Sequence, residues 1–423
     1  MKAAKVPSAI RMSYSPRKEE LGSKYITIDT LRQLRSWNYR KCRTKVAVAT
    51  LVTSSFYVPG AITLLKSFQG AAKEELSATF NFDCVCLVTD KVEASEELYL
   101  KQAGWLIKHV HRLPLLGCSE EDLVSEHFME CYQKLWLWTM EEYAGILYID
   151  ADAIVTRPVS HIFRALSFSP IGFAAAPDWD LNKRRFYKDY FNAGVLAIRP
   201  CFPVFEDMCR KLATHRPVNG FAEQDFLNDY YARDIYQIWS RFHVGMTWLH
   251  PGCNALKFVY VDSSQVWNSI YDSICIVHYA HKKPWKLLKN TSCLHVGLSY
   301  EPDERRDSFE NSKCWILHDY WHIVRAMPQD HREFPLPPRA VPDNYNPLEE
   351  YRRLEEVIDK YLPNVEKSEG HCGHMSSCVQ LPNLIWDLYS SKEFHYEVGM
   401  RFLSNHLRME HVIHQQRVSP QAD

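Results

Sequence analysis

The chain has 423 residues, of which 46% are apolar and 13% aromatic, so it can bury a large core in roughly two or three domains. The 50 basic and 51 acidic residues give a formal net charge of −1. This balance argues against a globally basic surface that would attract nucleic acid or an anionic membrane, so we expect neither partner.

Residues 1–44 are charged and lack clear periodicity, and we interpret them as a polar N-terminal extension. The first 20 residues hold no apolar run of signal-peptide length, and we expect no membrane-spanning segment further on. The 13 cysteines are scattered without a repeated short spacing, which favours reduced thiols and a cytoplasmic location. The sequence does not decide the oligomeric state, and a homodimer is one of the alternatives.

Strand and helix patterns alternate after residue 44. A β-branched run at 45–52 predicts a strand, and the apolar spacing at 60–68 predicts a helix. Further strands are predicted at 82–88, 106–110, 145–155, 194–198 and 274–277, and further helices at 94–103, 132–143, 203–213 and 223–231. Such alternation predicts an α/β fold with a mixed, mostly parallel sheet.

Prolines crowd residues 334–342 and cannot continue either periodic pattern. We therefore predict a main domain at 45–330, a proline-rich linker at 331–347 and a mainly helical C-terminal region at 348–423. Within that last region, His371, Cys372, His374 and Cys378 are four zinc-ligand types in eight residues. Their spacing matches none of the common zinc sites, so we interpret this cluster as an ordinary loop.

Asp150 and Asp152 lie at the carboxyl end of the predicted strand at 145–155, where ligands bind in open α/β sheets. Side chains alternate along an extended chain, so both carboxylates would face the same side. Two adjacent carboxylates repel each other unless a cation lies between them, and magnesium or manganese with a substrate phosphate would fit. The alternative is a pair of solvated aspartates, so this motif alone does not decide.

Five blocks of sequence carry a resemblance to a known family. They are residues 50–61 (TLVTSSFYVPGA), 134–138 (KLWLW) leading into 148–152 (YIDAD), 191–195 (FNAGV), 223–228 (EQDFLN) and 278–285 (HYAHKKPW). In this order and spacing they resemble the glycogenin-type retaining glycosyltransferases of family 8 over residues 45–286. The resemblance implies a single Rossmann-like domain of the GT-A type that binds a nucleotide sugar.

The implied activity is metal-dependent transfer of a hexose from a UDP-sugar to a hydroxyl acceptor, which is a saccharide or a protein-linked glycan. By the same resemblance Asp150, Asp152 and His278 bind Mn²⁺, or Mg²⁺, which acts as a Lewis acid on the diphosphate. An imidazole among oxygen ligands suits manganese better than calcium. A purely structural role for His278 remains the alternative.

The resemblance assigns further residues to the donor. Leu51, Thr53, Tyr57, Asn192, Asp150 and Ala151 would contact the nucleotide sugar, and Glu223, Gln224, Lys283, Lys134 and Asp178 would form the catalytic set. Tyr57 would stack on uracil or else be a core aromatic, and Lys134 would orient Asp150 or a sugar hydroxyl. Lys283 would reach the diphosphate. Glu223 would act at the sugar or complement a helix dipole.

Three departures from the family pattern leave the sugar open. Ala193 replaces a serine, Glu223 replaces an aspartate, and residues 179–190 are longer and more basic than in glycogenin. Tyr230, Tyr231, Tyr236, Tyr260 and Tyr271 occupy the interval where glycogenin modifies its own tyrosine, but none aligns with it. We therefore favour a separate acceptor over self-glucosylation.

An alternative from another functional class is a non-catalytic protein that binds a nucleotide sugar. A nicotinamide-dependent oxidoreductase is disfavoured, because no dinucleotide fingerprint of the Gly-x-Gly-x-x-Gly type follows the first strand.

Overall fold

The computed structural model describes residues 45–113, 119–124, 126–281, 283–287 and 334–340, with a few positions between 317 and 327. These residues form two compact units. The first holds 45–256, 272–279 and 334, and the second holds 257–271 and the described residues of 280–327 and 335–340. The predicted N-terminal extension, the helical C-terminal region and the cluster at 371–378 lie outside the described residues.

The described part of the first unit contains strands of very different length. They are β1 (Lys45–Val52), β2 (Asn81–Val88), β3 (Leu106–His109), β4 (Ile146–Ile149), β5 (Ala153–Val155), β6 (Phe173–Asp180), β7 (Arg185–Ile198), β8 (Thr247–Trp248), β9 (Ala255–Leu256) and β10 (Ile276–His278). Seven of them form one sheet in the order β3-β2-β1-β4-β7-β6-β8. Strands β1 to β4 run parallel, whereas β7 is antiparallel to β4 and β6. The predicted α/β fold with a mixed, mostly parallel sheet is confirmed.

A second, small sheet has the order β5-β10-β9. Strand β10 is antiparallel to β5 and parallel to β9. In this register His278 lies opposite Ala153 and Leu256. The sheet thus brings the late histidine beside the strand that follows the Asp-x-Asp stretch.

Both units contain helices. They are α1 (Val58–Ala71), α2 (Lys73–Thr79), α3 (Ala94–Ala103), α4 (Ser160–Phe168), α5 (Phe202–Leu212) and α6 (Ala222–Leu227) in the first unit, and α7 (Lys257–Asp262) and α8 (Ser264–Ile270) in the second. Short 3-10 helices span Ser55–Tyr57, Glu120–Asp122, Ser240–Phe242, Pro251–Asn254, Tyr271–Ser273 and Pro284–Leu287, and a longer one spans Glu126–Thr139. A π-helical turn spans Asn228–Ala232. Across the part of the chain that the structure describes, every helix is too short or too polar to cross a bilayer.

The two faces of β1 explain its apolar run. Ala47 and Ala49 belong to one buried apolar cluster, and Val46 and Val48 belong to another. Because successive side chains point to opposite faces, the strand is buried on both sides, as parallel strands in α/β proteins are. The core therefore consists of two layers, one on each face of the sheet.

Several predicted elements differ in detail from the structure. The helix predicted at 132–143 is a 3-10 helix, Glu126–Thr139. The strand predicted at 145–155 is broken: β4 ends at Ile149, and β5 belongs to the other sheet. The helix predicted at 223–231 starts as α6 and continues as the π-helical turn, and the strand predicted at 194–198 is only the last part of β7.

The second unit has its own aromatic packing against a proline-rich segment. Trp267 Nε1 donates to the Pro338 carbonyl at 3.0 Å, and the Tyr271 hydroxyl donates to the Pro337 carbonyl at 2.8 Å. The Tyr320 hydroxyl donates to the Pro335 carbonyl at 2.8 Å. Proline has no N–H for a strand ladder, but its carbonyl is an ordinary acceptor, and aromatic side chains supply the donors here.

Candidate active site

Asp150 and Asp152 lie in the turn that joins β4 to β5. The Ala153 amide donates to the Asp150 carbonyl at 3.1 Å and closes this turn. The prediction that alternation along an extended strand brings the two carboxylates to one side is therefore wrong. The turn brings them together instead. Since β1 and β4 are parallel, the turn lies at the same edge of the sheet as the loop after β1.

The three predicted metal ligands converge. One ligand atom each from Asp150, Asp152 and His278 lies within 4.8 Å of the others. His278 Nε2 is 3.3 Å from Asp152 Oδ1 and 3.8 Å from Asp150 Oδ2. Asp152 and His278 are buried, whereas Asp150 is 29% exposed and open to a ligand. Two carboxylates and one imidazole suit a divalent ion such as manganese or magnesium, so the residues present fit a metal.

A chain of hydrogen bonds determines which nitrogen of His278 is protonated. The Gly194 amide donates to Asn192 Oδ1 at 2.9 Å, and Asn254 Nδ2 donates to the same oxygen at 2.9 Å. Asn254 Oδ1 therefore remains as an acceptor, 3.0 Å from His278 Nδ1. This places the proton on Nδ1 and leaves the Nε2 lone pair for the carboxylate side, as metal-binding imidazoles require.

Gly194 allows the imidazole to approach the end of β7. A Cβ at this position would lie 2.2 Å from His278 Cε1 and 2.6 Å from Nδ1. Its carbonyl accepts from the Asp150 amide at 2.7 Å. Glycine is thus required here for space, and the same residue holds the turn and the histidine together.

Lys134 is buried between two carboxylates. Its ammonium lies 2.7 Å from Glu223 Oε1 and 3.3 Å from Asp150 Oδ1, and it also donates to the Ala193 carbonyl at 2.9 Å. Although burial by itself lowers the pKa of Lys134, Asp150 and Glu223 raise it above its usual value. Burial raises the pKa of Glu223 against the effect of Lys134. Lys134 therefore stays charged and lies against Asp150, and its predicted role in orienting that carboxylate stays a prediction.

The predicted sugar-binding residues form one polar network. Gln224 accepts from the Ala193 amide at 2.9 Å and donates to Asp178 Oδ2 at 2.9 Å and to the Tyr190 hydroxyl at 3.2 Å. Asn192 Nδ2 lies 3.4 Å from Asp178 Oδ1, a long contact that leaves this amide able to donate elsewhere. Burial raises the pKa of Asp178, while its three donors oppose that rise.

The predicted nucleotide residues lie at the end of β1 and just beyond it. Leu51 is buried in β1, and the Thr53 carbonyl accepts from the Thr89 hydroxyl at 2.7 Å. Tyr57 ends a 3-10 helix, and its ring meets Phe56 edge-on at 5.2 Å. Burial raises the pKa of the Tyr57 hydroxyl, and the charges of Asp152 and Asp150 add to that rise.

The remaining predicted site residues are Ala151 and Lys283. The Ala151 side chain packs into the apolar core, so only its backbone faces the turn. Lys283 belongs to the second unit, and its proposed contact with the diphosphate stays a prediction.

Sequence reasoning missed several residues of the site. Tyr148 donates to Asp150 Oδ1 and has Lys134 above its ring at 4.6 Å, while Tyr190 donates to Asp225 at 2.7 Å. Asn254 was missed as well. Tyr148 lies two residues before Asp150 and could have been found by its spacing, but Asn254 carries no local signal because its partner is 24 residues away.

The fold and the site together define an α/β protein with a two-carboxylate, one-imidazole metal site at the carboxyl edge of its sheet. The sequence profile of the family "Glycosyl transferase family 8" matches residues 48–289, more than half of the 423-residue chain. The chain belongs to glycosyl transferase family 8. The resemblance stated from the sequence is thereby confirmed.

Two kinds of curated plant enzymes are similar to the chain. UDP-glucuronate:xylan alpha-glucuronosyltransferase 1 of Arabidopsis thaliana is 25% identical over 300 residues, which cover 68% of this chain and 38% of that protein. Galactinol synthase 1 of Solanum lycopersicum is 25% identical over 309 residues, which cover 68% of this chain and 87% of that protein. The chain thus spans well under half the length of the xylan glucuronosyltransferase.

Two solved structures are among the matches to the chain. The galactosyltransferase LgtC in complex with donor and acceptor sugar analogs has a TM-score of 0.40 at 17% identity, covering 56% of this chain and 89% of that one. The glycosyltransferase GlyE in Streptococcus pneumoniae TIGR4 has a TM-score of 0.41 at 16% identity, covering 68% and 61%.

Proposed function

We propose that the chain is a metal-dependent retaining glycosyltransferase that moves a hexose from a UDP-sugar to a hydroxyl acceptor. The observation that carries this proposal is the convergence of Asp150, Asp152 and His278 at the carboxyl edge of the sheet. Family membership supports the same reaction class. A cytoplasmic location and the oligomeric state stay predictions of the sequence.

The proposed chemistry needs positive charge beside the leaving diphosphate. A divalent ion held by Asp150, Asp152 and His278 would neutralise that charge as the glycosidic bond breaks. We propose manganese, with magnesium as the alternative, because of the imidazole ligand. Lys134 holds Asp150 in place, and Asn192 offers an amide donor to a sugar hydroxyl.

Four of the five candidate tyrosines are buried, which supports a separate acceptor, whereas Tyr236 is half-buried. Tyr230 and Tyr231 are buried, and the Tyr230 hydroxyl donates to Asp207 at 2.8 Å. The Tyr231 hydroxyl accepts from Trp138 Nε1 at 3.0 Å. Tyr260 and Tyr271 are buried in the second unit, with their hydroxyls turned to backbone carbonyls. A glucosyl group cannot be attached to such hydroxyls without disrupting the core around them.

The test of the reaction compares Asp152→Asn with the wild-type chain. Hydrolysis and transfer would be measured with UDP-glucose, UDP-galactose and UDP-glucuronate, with and without manganese. We expect the variant to lose turnover and to lose only the manganese-dependent part of UDP binding. Asp83→Asn is the matched control, because Asp83 lies near the amino end of β2, where it pairs with Lys45 at 2.6 Å. Full activity of Asp152→Asn would contradict the metal role.

The same assay separates the alternatives. Manganese-dependent UDP binding without turnover of any donor would favour a non-catalytic binding protein. Stoichiometric label on a tyrosine of the wild-type chain, found by mass spectrometry after incubation with a labelled UDP-sugar, would favour self-glucosylation. We expect free sugar from slow hydrolysis and little covalent label.

A further inference from the structure

A second cluster of metal-ligand types lies in the first unit and shares no residue with the candidate active site. It consists of His161, Cys253 and Cys275, whose ligand atoms lie within 4.8 Å of one another. His161 Nε2 is 3.5 Å from Cys253 Sγ and 3.9 Å from Cys275 Sγ. Both sulfurs therefore face the same imidazole nitrogen.

Three separate segments supply these side chains. His161 is the second residue of α4, Cys253 lies in the 3-10 helix Pro251–Asn254, and Cys275 directly precedes β10. The Cys275 amide donates to the Gly252 carbonyl at 2.9 Å, and its carbonyl accepts from the Thr156 amide at 2.8 Å. These backbone bonds hold the two cysteines side by side independently of their side chains.

The spacing suits a tetrahedral zinc ion. Zinc binds thiolate sulfur at about 2.3 Å and imidazole nitrogen at about 2.0–2.1 Å, so tetrahedral angles put a sulfur and a nitrogen ligand about 3.5 Å apart. The two observed sulfur to nitrogen distances are 3.5 and 3.9 Å. We propose that His161, Cys253 and Cys275 bind zinc. Both cysteines are buried and His161 is exposed, so an ion can enter from the surface and take water as its fourth ligand.

A zinc ion here would stabilise the support of the active-site histidine. Cys253 directly precedes Asn254, which accepts from His278, and Cys275 leads into β10, which ends at His278. Zinc would therefore join the 3-10 helix, the strand and the start of α4 that hold His278 in place. Its role is structural, because none of its three ligands belongs to the active site.

Cobalt provides the test, because it replaces zinc and absorbs light. The reduced, EDTA-treated full chain would be titrated with CoCl₂, and we expect one equivalent to give the sulfur-to-cobalt charge-transfer band and the visible bands of tetrahedral cobalt. Asp150, Asp152 and His278 offer no sulfur, so this band excludes cobalt in the active site, and the cysteine variants show which thiols bind it. Cys253→Ser should abolish the band, and the matched variant Cys209→Ser should retain it.

Two further variants keep the test decisive. If Cys253→Ser fails to fold, His161→Ala replaces an exposed side chain and should weaken cobalt binding at least tenfold. Cys372→Ser should leave the band unchanged. A chain without the charge-transfer band would overturn the proposal, as would a band lost in Cys372→Ser but kept in Cys253→Ser. A Cys253 to Cys275 disulfide found by mass spectrometry in the purified chain before any reductant is added would also overturn it.

Discussion

His278 depends on a residue that cannot itself reach a metal ion. Asn254 accepts from His278 Nδ1 at 3.0 Å and so presents Nε2 to Asp150 and Asp152. We predict that Asn254→Ala lowers manganese affinity by about 10- to 100-fold, the usual effect of losing such a partner. Calorimetric titration with manganese and UDP measures this. Asn182→Ala, in the exposed turn between β6 and β7, is the control, and equal affinity in both variants would contradict the role of Asn254.

Gly194 is the second residue on which the position of His278 depends. A methyl group on Gly194 would overlap the imidazole, so we expect Gly194→Ala to displace the ring and abolish manganese-dependent UDP binding. Gly245→Ala is the matched control, because a Cβ there would meet no atom within 4 Å. Thermal unfolding of both variants shows whether the fold survives. Unchanged metal binding in Gly194→Ala would mean that β7 moves aside at little cost.

At the scale of elements, Lys134 joins three parts of the site. It lies on the 3-10 helix Glu126–Thr139 and pairs with Glu223 of α6 and with Asp150 after β4. We predict that Lys134→Met destabilises the fold by about 3–5 kcal/mol, because two carboxylates lose their buried partner. Urea unfolding measures this loss.

Two other variants are compared with Lys134→Met. The double variant Lys134→Met/Glu223→Leu should recover most of the stability but no activity, since Asp150 stays unsupported. Lys101→Ala breaks the ion pair with Glu97 within α3, where Lys101 is 55% exposed, and should cost less than about 1 kcal/mol. Similar losses in Lys134→Met and Lys101→Ala would show that the buried pair is not special.

For the whole molecule, pH acts through His215, a buried residue that lies outside the site. Burial lowers the pKa of His215 to about 4, with Asp225 opposing and Arg233 adding to the shift. Its ring lies 3.1 Å from the Tyr236 hydroxyl and 3.6 Å from Asp229. Since the unfolded chain protonates near pH 6.5, this group stabilises the fold fully above that pH and loses its contribution as pH falls toward 4.

We therefore expect the difference in unfolding free energy between wild type and His215→Asn to shrink, or to reverse sign, from pH 7 to pH 4.5. The change should be on the order of 2 kcal/mol. Asp229 acts in the opposite sense, because burial raises its pKa to about 6. Because Asp229 lies 3.6 Å from His215, the same comparison is repeated in an Asp229→Asn background, where that opposing contribution is absent. Parallel pH profiles in urea unfolding would contradict this assignment.

The sequence predicts that Lys283 contacts the diphosphate of the donor. If its ammonium stabilises the departing diphosphate, Lys283→Ala should lower turnover by about 10²-fold and weaken substrate binding less. Lys282→Ala is the neighbouring control and should be close to neutral. A large effect at Lys282 alone would indicate a shifted register in this segment, and small equal effects at both would remove Lys283 from the site.

The sequence by itself determined the α/β class and the family, and it predicted most residues of the candidate site, because these depend on local patterns. The apolar run of β1 and the Asp-x-Asp stretch are readable without their partners. Only the tertiary structure decided how the carboxylates meet, since the break after Ile149 arises from pairing of β5 with β10. It also decided that Asn254 orients His278 and that His161 lies beside Cys253 and Cys275. Those contacts join segments 24 to 114 residues apart, and no local propensity encodes such a distance.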